Sequence, residues 1–293
     1  MRVALVAALW LLACGAELPP DPTADPLMPS APATTPAAEA DEPAAGSAWV
    51  IDSFGFLYAE PDGRVDALDI DGVLTGEGDP PPPEGCVHTD LDDGADHQLL
   101  RLVQSFESLY PEGIADQIIG SAARNGSMTV LLTMDPQAAG VVVGEDPPLT
   151  GNDGEVLWDT TFRPRTEPRY VGSLDAPTLA GQTWTAGPGD VAFRMNIQIV
   201  KADLALKDAW IRMTVDDSGA VHGVIQGYWH RDSVVEILAS TPAHLAALGY
   251  SLEEFEAVLD AYADRSPNAA GVCQELSAAF RFTAVPAYLL EAP

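Results

Sequence analysis

The sequence predicts an α+β fold: an antiparallel β-sheet with helices packed on it. Two observations carry the expectation. Between residues 128 and 229, short apolar runs follow one another through tight turns, the pattern of an antiparallel sheet. On either side lie stretches whose apolar residues recur at helical spacing. The many strands joined by short turns make a sandwich-like sheet the expected form. No internal repeat of fixed period is present.

The folded part begins at residue 48. Trp49, Ile51, Phe54, Phe56 and Tyr58 read as a first strand, and Pro61-Asp62-Gly63 as a turn. Residues 64–75 form a second extended segment carrying Asp66, Asp69, Asp71 and Gly72. Four prolines, 80–83, make a stiff connector into Cys86. The densest polar cluster follows, from His88 to His97. Behind it Leu99, Leu100, Val103, Phe106, Leu109 and Tyr110 recur at helical spacing, so Asp93 or Asp96 is expected to cap that helix. A second helix is expected over 112–124, ended by Asn125-Gly126.

Strands are expected at 128–134, 140–144 and 155–162. The clearest alternation is Val191, Phe193, Met195, Ile197 and Ile199 against Ala192, Arg194, Asn196 and Gln198. Strands at 202–206 and 209–215 precede a turn at Asp216-Asp217-Ser218-Gly219 and a strand over 220–229. Helices are expected at 232–239, 242–248 and 251–263, the last with a capping box in Ser251-Leu252-Glu253-Glu254. Residues 273–284 form a final strand or short mixed segment.

The start of the chain has a different character. Arg2 is followed by a continuous apolar run from Val3 to Ala13. As a helix such a run rises only about 16 Å, against a hydrocarbon core of about 30 Å. It is therefore read as a signal-peptide core and not a membrane span. The run ends in Leu11-Leu12-Ala13-Cys14, which resembles the lipobox of bacterial lipoproteins. That resemblance implies cleavage after Ala13, a diacylglycerol on the Cys14 thiol and acylation of the new amine. It places the chain in the cell envelope, held to the membrane through its lipid anchor. Gly15 in place of Asp after the cysteine favours the outer membrane over inner-membrane retention. Residues 14–47 then read as the acylated cysteine and a disordered Pro/Ala-rich tether, too poor in large apolar residues to build a core. The expected organisation is a signal peptide at 1–13, the tether at 14–47 and one α+β domain at 48–293.

Composition narrows the partners. The net charge is -30, from 44 acidic and 14 basic residues. Such a charge repels nucleic acid and favours divalent or basic partners. Of three cysteines, Cys14 is assigned to lipid. Cys86 and Cys273 are left, and in an oxidising envelope they are expected to form a disulfide, with free thiols as the alternative.

The order Asp69-Ile70-Asp71-Gly72, then Cys86, then Asp93-Gly94-Ala95-Asp96-His97-Gln98-Leu99 resembles uncharacterised envelope lipoproteins of high-GC Gram-negative bacteria. Those have Asn at the place of His97. The resemblance extends over most of the folded part and implies no activity.

One cluster carries metal chemistry. Asp90, Asp92, Asp93 and Asp96, joined by Asp69 and Asp71, offer hard oxygen ligands around a glycine, the donor type Ca²⁺ requires. The spacing is not that of an EF-hand. The competing reading is a solvated acidic loop that caps a helix. His88 and His97 flank the carboxylates, and a metal-dependent hydrolase built on them is the alternative function. Nucleophile-elbow, P-loop and dinucleotide motifs are missing from the sequence. Tyr228-Trp229 could form a glycan platform or be split between core and rim. The expected function is thus a non-catalytic envelope module that binds another envelope protein or a glycan and is stabilised by Ca²⁺.

Overall fold

The computed structural model describes residues 48–76, 80, 86, 90–91, 94–107, 120, 122–123, 128–197, 200–239 and 251–290. The expected signal peptide, Cys14 and the tether lie outside them, as do His88, Asp92, Asp93 and the expected helix at 242–248. Of the helix expected over 112–124, Gly120, Ala122 and Ala123 are described and are helical.

Twelve strands are described: β1 (Ala48–Phe56), β2 (Val130–Met134), β3 (Ala139–Val143), β4 (Thr160–Phe162), β5 (Val171–Leu174), β6 (Thr178–Ala180), β7 (Thr183–Ala186), β8 (Val191–Ile197), β9 (Val200–Val215), β10 (Val221–His230), β11 (Arg265–Pro267) and β12 (Cys273–Leu289). The helices are α1 (Gln98–Glu107), α2 (Arg231–Ala239) and α3 (Leu252–Tyr262). The strands share one sheet in the order β5-β3-β2-β1-β12-β10-β9-β7-β6, with β4 and β11 beside β12 and β8 beside β9. Every described strand pairing is antiparallel except β4 with β12. The architecture is α+β. A second sheet, as a sandwich needs, is not found among the described residues.

β12 is the organising strand because its two faces differ in kind. Leu276, Ala278, Phe280, Phe282 and Ala284 point into the main core. There Phe280 stacks on Phe54 at 5.2 Å and meets Phe56 and Trp229. Each buried aromatic of this kind contributes about 1.5–3 kcal/mol. The opposite face carries Glu275, Ser277, Ala279, Arg281 and Thr283, small or polar side chains over which loops lie close.

The sheet curls until segments from its two ends meet. The Asp175 N–H, just after β5, donates to Pro188 O (3.1 Å), and the Gly187 N–H to Asp175 O (2.7 Å). Gly189 and Ala209 of β9 exchange backbone hydrogen bonds at 3.0 and 2.6 Å. Gly189 is required there: a Cβ on it would lie 2.1 Å from Ser173 O.

Two segments cover the outer face. Val156 and Phe162, in the excursion between β3 and β5, close a small core with Val50, Leu131, Val142, Val285 and Ala287. Leu57, Val65 and Ala67 pack over Val224 and Ala279. The segment read as extended at 64–75 joins no strand, because its hydrogen bonds go to side chains and not to a neighbouring strand. Residues 200–215 form one strand where two were expected. The break read at Lys207-Asp208 is a local kink, with Asp208 at φ 46° and a register shift opposite Gln226 and Tyr228.

On the far side α3 starts as expected. The Ser251 N–H donates to Glu254 Oε2 (2.8 Å) and the Glu254 N–H to Ser251 Oγ (3.2 Å). Arg231 at the start of α2 bonds Asp260 and Glu256 of α3, tying the two helices together. Cys86 and Cys273 are bonded, with Cα atoms 6.3 Å apart.

Candidate functional site

The outer face of β10 and β12 holds a group of polar side chains that strand geometry alone would leave in water. Gln226 of β10 is fully buried and grips the segment laid over it. Its Oε1 accepts from the Leu68 N–H (2.7 Å), and its Nε2 donates to Leu68 O (2.8 Å) and Asp96 O (2.5 Å). One carboxamide thus holds the 65–75 loop and the approach to α1 in register.

β12 continues beyond the end of β1, so part of its second edge has no strand partner. Side chains take that place. The Ala279 N–H donates to His97 Nδ1 (3.2 Å), and the Ser277 N–H to Asp264 Oδ1 (2.9 Å). Buried donors must be satisfied, and these two residues do so where a strand would. His97 Nε2 lies 2.9 Å from Leu57 O. With Nδ1 accepting, Nε2 carries the proton and donates. Burial pushes the His97 pKa down to about 4, which keeps the ring neutral.

Three carboxylates converge beside this staple. Asp69, Asp71 and Asp96 each offer an oxygen within 4.8 Å of the others; Asp96 is buried and the other two are exposed. Asp96 Oδ2 accepts from the Ile70 (2.8 Å) and Asp71 (3.2 Å) N–H groups. Asp69 Oδ1 accepts from the Gly72 N–H (2.6 Å) and Asp71 Oδ1 from the Val73 N–H (2.7 Å). The loop is therefore shaped by the same carboxylates that would hold a cation. Burial, then the charges of Asp71 and Asp90, push Asp96 up to about 8. Burial also raises Asp71, with Asp69 adding to the effect.

Of the residues read as metal ligands, Asp96 is in this group and is joined by Asp69 and Asp71. Asp90 stands aside: its Oδ2 accepts from the Thr75 N–H (2.5 Å), although its charge reaches Asp96. Asp96 does not cap α1 as expected, since its carboxylate turns to the 70–71 backbone. The Gln98 N–H at the start of that helix is met instead by Ser277 Oγ (2.9 Å). Tyr228 and Trp229 do not form a platform. Tyr228 is buried under the Arg265 guanidinium, 4.1 Å from its ring centre, and Trp229 is buried on the opposite face against Phe280.

Comparison of the chain with family models, with curated proteins and with solved structures yields no match. The chemistry must be read from the site alone. The residues missed in the sequence are Gln226, Asp264 and Arg265. Arg265 bonds Asp208 (2.7 Å) and is a cation that opposes the rise at Asp71. Burial raises the Asp264 carboxyl to about 7. Of these only Gln226, a polar residue between Ile225 and Gly227, carried a sequence signal, and it pointed to no ligand. Three clustered hard oxygen donors suit a divalent cation of the Ca²⁺ type.

Proposed function

We propose that this chain is a lipid-anchored cell-envelope protein of the outer membrane, a non-catalytic binding module whose acidic centre takes up Ca²⁺. The observation that supports the calcium reading is the convergence of Asp69, Asp71 and Asp96 on one point. A divalent cation there would offset the repulsion among the three and stabilise the ionised form of Asp96 that burial disfavours. The hydrolase alternative needs an imidazole for metal or proton transfer. His97 has both ring nitrogens committed to backbone groups, which favours the binding module. The anchor rests on Leu11-Leu12-Ala13-Cys14.

Thermal unfolding of the purified chain tests the site. Calcium at about a hundred times its Kd stabilises a native-state site by about 2.7 kcal/mol, a rise of roughly 5–10 °C for a domain of this size. The rise is expected to disappear in Asp69→Asn/Asp71→Asn. An unchanged melting curve with calcium and with chelator would remove the site. For the anchor, Cys14→Ser is expected to leave the membrane fraction and to lose the acyl mass seen in the wild type. Equal membrane retention of both forms would reject it.

A further inference from the structure

A second feature lies over the small outer core. The excursion between β3 and β5 folds back on itself, with the Leu157 N–H donating to Leu149 O (2.8 Å) and Thr150 bridging Val156. It then joins the end of β12, where Thr160, Thr161 and Phe162 pair with Ala287, Tyr288 and Leu289, and the Leu290 N–H donates to Phe162 O (2.9 Å). This corner carries three large apolar residues that stay exposed, Leu149, Leu157 and Trp158, each between 46% and 61% accessible. The core beneath is already closed by Val156 and Phe162, so folding does not require their exposure. A Trp among aliphatic neighbours is the kind of residue that dominates binding energy at interfaces.

The charge around them selects the occupant. Glu145, Asp146, Asp153, Glu155 and Asp159 on the same excursion are all exposed, against two exposed cations, Arg163 and Arg169, the latter paired with Asp203. Among the described residues none of these five carboxylates forms an ion pair. A second copy of the chain would set acids against acids in a two-fold contact. An anionic lipid surface is repelled in the same way. We infer that this corner docks a cationic amphipathic segment of a protein partner, with apolar side chains on Leu157 and Trp158 and Lys or Arg on the acidic rim. The inference rests on reading the chain as a binding module, and it uses neither the anchor nor the calcium centre.

The test uses the full chain carrying Cys14→Ser, which keeps acyl groups out of the measurement, in the presence of chelator. Failure here therefore leaves the calcium and anchor results standing. The probe is an amphipathic helical peptide of Leu, Trp and Lys, compared with the same peptide carrying Glu for Lys. The Lys peptide is expected to bind and the Glu peptide not to. Leu157→Ser/Trp158→Ser is expected to weaken binding by about tenfold or more, as loss of a central aromatic anchor does. Asp146→Lys/Glu155→Lys is expected to weaken it and to flatten its salt dependence. Leu179→Ser, which removes an equally exposed leucine from β6, is the control and is expected to change nothing. Four results would overturn the inference: no binding of the Lys peptide, equal loss in the Leu179 control, and patch-dependent binding to phosphatidylcholine vesicles or patch-dependent self-association in place of peptide binding.

Discussion

Asp264 lies just past the C-cap of α3, and its carboxyl serves as a substitute strand partner for the Ser277 N–H. Burial raises it to about 7, against the lowering effect of that hydrogen bond. In the unfolded chain an aspartate loses its proton near pH 4. Between about pH 4 and 7 the folded state therefore holds a proton that the unfolded state has released. Stability contributed by this group is complete below pH 4 and is lost as pH rises to about 7. Asp264→Asn keeps an acceptor oxygen and has no proton to lose. The variant is expected to gain on the wild type progressively from pH 4 to 7, with a constant difference above that. Denaturant unfolding across this range, in chelator, measures it; a difference independent of pH would show that Asp264 is ionised throughout. His97 is the opposite case in sign and the same in purpose. Its burial holds it neutral, and neutrality gives one nitrogen to accept and one to donate.

At the scale of elements, local chemistry decided what was legible. The alternation of 191–197 and the Ser251–Glu254 capping box each state their element within a few residues, and both stand where expected. β5, β6 and β7 were missed because they are three or four residues long, with Gly, Ser and Thr where a strand normally alternates. They are strands because β3 and β9 recruit them. The acidic centre was half legible for a similar reason. Asp96 stood out in a run of carboxylates, but its selection of Asp69 and Asp71 depends on Gln226, more than a hundred residues later. The meeting of the sheet's two ends leaves no local signal either, since it depends on bare backbone at Gly189. Gly189→Ala is expected to cost about 1–3 kcal/mol, the range for forcing a methyl into packed structure. Urea unfolding reads this directly, and an unchanged midpoint would mean that the ends can part freely.

For the molecule as a whole, the Cys86–Cys273 bond spans 187 residues of chain. It ties the segment before α1 to the first residue of β12, and the Cys86 N–H donates to Asp264 O (2.8 Å) beside it. Closing so long a loop restricts the unfolded chain by about 4–5 kcal/mol in the chain-entropy account, and measured effects run lower. Reduction is expected to lower the melting temperature by about 5–15 °C. Cys86→Ser should melt at the reduced value with or without reductant; a variant that still responds to reductant would place the effect elsewhere. Among the described residues no helix is long and apolar enough to cross a membrane.

The place of β1 has a mechanical consequence. The chain enters the sheet at Ala48, directly into an interior strand flanked by β2 and β12. A tug from the amino-terminal side is directed along the axis of β1, so it loads the rungs on both flanks together, in shear. An edge strand would unzip one rung at a time under the same force. Under the anchor proposed above, such a load would fall on an interior strand paired on both sides.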